Sequence, residues 1–191
     1  MRSLAKNSRK LIQRGFTLVE LLIVVIILAI LAAIVIPQFS SATVDAQEGA
    51  LDANLNALRS AIDLYRVQHG NVYPGVNVST GATCGAGGTA GGGAVLSSQA
   101  LIEQLTMFSS VAGATCTNQG VATVTLGPYL RKGFPAEPVS NSTAIAIVSN
   151  GSPLAPANAT TAGWVYNTTT GQILKNSNAA DSKGTVLYSA H

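Results

Sequence analysis

One ionisable side chain stands where its position asks for a function. Glu20 lies in the run FTLVELLIVVIILAILAAIVI, Phe16 to Ile36, in which only it and Thr17 are polar. A carboxylate at the centre of a membrane-crossing helix costs about 2.5–3.5 kcal/mol. It costs less near the helix start, where the helix dipole favours negative charge. By itself this describes a carboxylate reaching toward the membrane surface. Other chemistry is sparse. The only histidines are His69 and His191, neither with an assignable nucleophile or carboxylate partner, and no serine sits in a G-x-S-x-G elbow. Without a base and nucleophile brought together, the chain does not read as an enzyme. Gly85, Gly87 and Ala90 have GxGxxA spacing. No apolar strand precedes them and no βαβ unit surrounds them, so no dinucleotide cofactor is expected. Cys84 and Cys116 lack CxxC spacing and nearby histidines, so no metal site is expected. In an exported head they would be oxidised to one disulfide, the alternative being two free buried thiols.

The elements that would position these residues follow from charge and periodicity. Residues 1–15 carry Arg2, Lys6, Arg9, Lys10 and Arg14 and no acid, while the rest of the chain is net acidic. The basic balance is therefore a topology signal that keeps this end cytoplasmic. It is not a nucleic-acid footprint, which needs a basic face on the folded part. The 21 residues from Phe16 to Ile36 suffice to cross a bilayer. They exceed the apolar core of a cleaved signal peptide. Beyond Pro37, Val44, Leu51, Leu55, Leu58, Ile62 and Tyr65 recur at helical spacing. Asp45, Gln47, Glu48, Asp52, Arg59, Asp63 and Arg66 are assigned to the opposite, solvated face. One helix is predicted from Phe16 to His69, stopped by Gly70 and Asn71. Pro37 removes a hydrogen bond inside it and predicts a kink, or a segment near Ala29–Pro37 able to unwind.

The remainder reads as a small head. Residues 76–95 form a Gly-rich loop. Residues 98–108 predict a short helix with Leu101, Leu105 and Phe108 inward. Strands are expected at Val121–Leu126, Ala144–Ser149, Gly163–Asn167, Gln172–Leu174 and Thr185–Tyr188, with a hairpin turn at Thr168–Gly171. Trp164 and Tyr166 share a strand face and read as core. Asn77, Asn141, Asn158 and Asn167 head Asn-x-Ser/Thr sequences, which mark loops expected to be exposed. The fold class is α+β, a long N-terminal helix packed on a small antiparallel sheet that needs its cover.

Arg14-Gly15-Phe16-Thr17-Leu18-Val19-Glu20, behind a short basic leader and ahead of the apolar run, resembles the processing site of type IV prepilins and type II secretion pseudopilins. The close resemblance spans residues 10–40. A looser one touches Tyr65–Gly70 with Tyr73-Pro74, Gly127–Leu130 and Gly163–Asn167. It implies that prepilin peptidase cuts between Gly15 and Phe16 and methylates the new Phe16 terminus. The chain would then divide into a cleaved leader (1–15), a membrane and filament-core helix (16–36), an amphipathic helix half (37–70) and a globular head (71–191). It also implies that Glu20 pairs with the Phe16 ammonium of a neighbouring subunit, and Pro37 resembles the family's helix-interrupting proline. The implied partners are further copies, the peptidase, the inner-membrane assembly platform and minor pilins or pseudopilins. The implied location is the inner membrane, with the head outside the cytoplasm, and then a periplasmic or surface filament. One departure stands out. Major pseudopilins commonly bind calcium through head acids, whereas after residue 70 this chain has only Glu103, Glu137 and Asp181, far apart in sequence. The competing reading is a membrane-tethered binding module with the helix as a permanent anchor. A Lys/Arg flank after Ile36 would favour it, but the next basic residue is Arg59.

Overall fold

The computed structural model describes residues 15–119, 123–156 and 161–191. The leader bases Arg2 to Arg14, Val121 and Asn158 lie outside the described residues. Helix α1 runs from Leu18 to Gln68 with Pro37 inside it. The chain divides into two compact units, one ending at Ala42 and one running from Thr43 to His191.

In the first unit seventeen large apolar side chains between Phe16 and Phe39 are exposed. Burying such a side chain is worth about 1.5–3 kcal/mol. A helix like this therefore requires lipid or other helices around it. It is long and apolar enough to cross a membrane.

In the second unit α1 buries Leu51, Leu55, Leu58, Ile62 and Tyr65, the stripe read from their spacing. Val44, at the stripe's beginning, is only half-buried. The stripe packs against Leu101 and Leu105 of helix α2 (Ser98–Thr106) and against Trp164, Tyr166 and Ile173 of the sheet. α2 starts where the Ser97 hydroxyl accepts the Ala100 N–H at 3.1 Å. α1 ends where Gly70 and Asn71 both take left-handed backbone, φ 65° and 67°. The Asn71 N–H there closes on the Arg66 carbonyl, a stop that favours glycine because it has no Cβ.

Five short strands complete the head. β1 (Phe108–Ser109) pairs antiparallel with β2 (Thr115–Cys116). β3 (Ile145–Val148), β4 (Trp164–Asn167) and β5 (Ile173–Lys175) form a second sheet in that order. β4 lies at its centre with all four residues buried. β4 and β5 form the expected hairpin, and the Asn167 side chain braces its turn by accepting the Thr169 N–H.

The α+β class stands, with several differences of detail. β3 runs parallel to β4, so the larger sheet is mixed. The Pro153–Pro156 connection crosses over instead of turning back, as parallel pairing demands. Phe108 leaves the helix for β1, because α2 stops at Thr106. Of the Val121–Leu126 candidate, Leu126 forms one isolated bridge to Ser109. Thr185–Tyr188 is not a strand: Leu187 bridges Ala180 and a 3-10 turn covers Tyr188–Ala190. Glu48, assigned above to the solvated face, is buried. The later segment reaches back to it, with Ser182 N–H at 2.6 Å, Ser182 hydroxyl at 3.0 Å and Tyr188 hydroxyl at 2.9 Å. Asn167 is also buried, since its sequence lies on β4 and its amide donates to the Asn150 carbonyl.

Candidate functional site

The site begins with a glycine that its own surroundings do not require. A Cβ at Gly15 would meet nothing within 4 Å, and no left-handed φ is needed there. Phe16 follows, 84% exposed. The next four residues form a reciprocal cap. The Thr17 hydroxyl accepts the Glu20 N–H at 3.2 Å, and the Glu20 carboxylate accepts the Thr17 N–H and hydroxyl, both at 2.9 Å. This is a capping box, in which Thr and Glu three residues apart satisfy each other's orphan N–H groups. The signal for it is local, a Thr and a Glu three residues apart at the head of an apolar run. The cap occupies Oε2 of Glu20. Its Oε1 has no partner among the described residues, so one side of the carboxylate is open.

The other residues singled out in the sequence lie in the second unit. Cys84 and Cys116 are joined in a disulfide, with Cα atoms 5.7 Å apart. The Gly-rich segment between them is held by Glu103. That carboxylate accepts the N–H groups of Gly92 and Gly93 at 3.0 and 3.1 Å and the Ser79 hydroxyl. A Cβ at Gly93 would come within 2.3 Å of the Ala100 nitrogen, so close approach to α2 requires the glycine. His69 is buried and stacked on Tyr65 at 3.6 Å between ring centres. Its Nδ1 lies 2.8 Å from the Tyr65 carbonyl and its Nε2 lies 3.0 Å from the Ser109 hydroxyl. Burial holds its pKa below the ordinary value. His191 pairs with Asp52 at 2.8 Å. Trp164 and Tyr166 are core residues, their polar ends donating to the carbonyls of Pro135 and Pro74.

The three head acids are likewise engaged. Glu137 is fully buried and accepts the N–H groups of Val139 and Ser140 at 2.9 and 2.6 Å, with the Lys175 ammonium 3.6 Å away. That ammonium also lies 3.5 Å over the Tyr188 ring. Asp181 accepts from the N–H and hydroxyl of Thr185. Nothing local in the sequence linked Glu48, Glu137, Lys175 and Tyr188, since the first and last are far apart along the chain.

Residues 11–36 match the family described as the prokaryotic N-terminal methylation motif. The chain is 40% identical over 70 residues to the fimbrial protein of Neisseria meningitidis serogroup B, covering 37% of this chain and 41% of that one. It is 40% identical over 57 residues to type II secretion system core protein G of Pseudomonas aeruginosa, covering 30% and 40%. A third relative is the type IV narrow pilus major component PilA5 of Thermus thermophilus, 46% identical over 55 residues and covering 29% and 47%. The chain thus spans less than half the length of these curated relatives. No solved structure matches it. In its N-terminal methylation motif and the helix that follows, the chain is similar to both pilins and pseudopilins of the type IV pilin-like family.

Proposed function

We propose that this chain is the precursor of a structural filament subunit, cut between Gly15 and Phe16 by prepilin peptidase and methylated at the Phe16 terminus. Residues 1–15 are then the leader, 16–36 the filament-core helix, 37–70 the amphipathic helix half and 71–191 the head. The observation that carries the reading is the bare apolar helix behind an accessible Gly15-Phe16 bond. Its seventeen exposed apolar side chains need lipid before assembly and other helices after it. Gly15 has open space around it and ordinary backbone, so a demand for glycine there comes from an outside partner such as a peptidase pocket. Glu20 would receive the Phe16 ammonium of the next subunit on the carboxylate face its cap leaves open. Pro37, which withdraws one helix hydrogen bond, marks where the helix could unwind during assembly. The precursor sits in the inner membrane with its N-terminus cytoplasmic and is passed to the assembly platform and minor subunits.

The test is mass spectrometry of sheared surface or periplasmic filaments. The reading expects a chain beginning at Phe16 and heavier by one methyl group. Gly15→Leu should leave the full-length precursor in the inner membrane. A mature product beginning at Phe16 in that variant would overturn the cleavage assignment.

A further inference from the structure

We propose that the second unit carries two complementary flanks, and that a groove beside Arg131 and Lys132 receives the Asp63 flank of α1 from a second copy of this chain. The proposal rests on the filament reading above and names a contact within it. The groove, about 340 Å³, lies between α1 at Asn54 and Ala57 and the loop carrying Leu130, Arg131, Lys132 and Pro135. Its floor is mostly apolar, and Arg131 and Lys132 stand exposed at its rim.

Charge decides the occupant. Three of the six Lys and Arg side chains of this unit are engaged inside it. Arg59 donates to the His191 carbonyl, Arg66 to the Tyr73 hydroxyl, and Lys175 is buried beside Glu137. Arg131, Lys132 and Lys183 have no such partner among the described residues, and only the first two stand together beside the groove. Most acids are engaged as well: Glu48, Glu103, Glu137 and Asp181 accept N–H or O–H groups, and Asp52 holds His191. Asp45 and Asp63 on α1 are left, both exposed. At about 100° per residue, Asp45, Asp52 and Asp63 fall within about 20° of one another around α1. Asn54 and Ala57, which wall the groove, lie about 120–180° away. One flank of this unit therefore presents Asp45 and Asp63, beside Arg59 and Arg66 that are tied to the His191 carbonyl and the Tyr73 hydroxyl, and the other carries two unpaired bases over an apolar floor. Beside Asp63, Leu64 and Val67 are 50% and 74% exposed and offer apolar side chains for that floor.

Two different patches that fit one another make a heterologous contact, which repeats from copy to copy. The residues to be matched, 54–57 and 63–67, are offset by nine to ten positions, about 13–15 Å along the helix at 1.5 Å per residue. Copies with parallel helices then climb at each step and cannot close into a ring. The exposed ion pairs set the register of the contact and add little strength of their own.

The experiment uses the full chain in cells that assemble it. Lys132→Cys and Asp63→Cys are placed together in one chain, filaments are mildly oxidised, and covalent multimers are counted on a non-reducing gel. The native disulfide joins cysteines of one chain and adds no multimers. The proposal expects a ladder from the double variant and only monomer from either single variant. Introducing Arg131→Glu into the double-cysteine chain should lower the ladder more than tenfold, and 1 M salt should reduce it through screening. In a chain without new cysteines, Arg131→Glu with Lys132→Glu should lose filaments and adding Asp63→Lys should restore them. Multimers from a single-cysteine variant would mean a symmetric contact and overturn the proposal. So would intact filaments of the double variant without a ladder, or charge reversal that changes nothing. Filaments missing from the unmutated chain would overturn the filament reading itself.

Discussion

Lys175→Met tests whether one ammonium locks the later part of the head to α1. Lys175 is 5% exposed and Glu137 fully buried, with nitrogen and oxygen 3.6 Å apart. Removing one member of a buried pair typically costs about 3–5 kcal/mol, because the other charge is left uncompensated. Two features set where in that range this site falls. Glu137 keeps its N–H donors from Val139 and Ser140, which lowers the cost. The contact of Lys175 with the Tyr188 ring is lost as well, worth about 0.5–2 kcal/mol. A loss of about 3–4 kcal/mol follows, a large share of a domain stability of about 5–15 kcal/mol. The assay is urea unfolding of the full chain in detergent micelles, followed by the fluorescence of its single tryptophan, Trp164. That probe is well placed, since its indole N–H donates to the Pro135 carbonyl close to Glu137. Combining Lys175→Met with Glu137→Gln removes the stranded charge and keeps an acceptor for one N–H. It should recover at least half of the loss, a departure from additivity that marks a direct pair. A loss below about 1 kcal/mol for Lys175→Met, or simple additivity in the double variant, would show that the pair does not hold the head in this way.

Glu20 has two roles to separate: the cap it makes and the proposed pair with a neighbour's Phe16 ammonium. Thr17→Ala removes a cap worth about 0.5–2 kcal/mol and keeps the carboxylate, so filaments should persist. Glu20→Ala should abolish them while mature protein stays in the membrane; equal filament yields from both variants would sink the pairing. His69 predicts a pH effect: its Nδ1–H donates to the Tyr65 carbonyl and its Nε2 accepts from Ser109, which suits the neutral ring. Because burial lowers its pKa from the ordinary 6.5, its contribution is complete above that pH and is lost as pH falls below it. The unfolding midpoint should fall from pH 7 to pH 5 more steeply in the unmutated chain than in His69→Gln. The Cys84–Cys116 bond spans a sequence separation of 32, for which chain entropy gives about 3.7 kcal/mol. Cys84→Ser with Cys116→Ser should lower head stability by about that amount, measured by the same unfolding assay.

The sequence by itself determined whatever depends on neighbours along one helix. The apolar run, the stripe Leu51-Leu55-Leu58-Ile62-Tyr65 and the stop at Gly70-Asn71 follow from a 3.6-residue repeat and from glycine's backbone freedom. The N-terminal motif was legible for the same reason, since its glycine, its carboxylate and the apolar run are contiguous. Tertiary structure decided what depends on residues distant in sequence. Glu48 lies at the edge of the buried stripe, and a carboxylate there reads as solvated until Ser182 and Tyr188 close over it. β3 and β4 could have paired antiparallel by their sequence pattern, and their register is parallel. Glu103 reads as a surface acid of a short helix until the Gly-rich segment presents two N–H groups to it. In each case the deciding partner is far along the chain. Periodicity records which face an element turns inward, but not which distant segment comes to cover it.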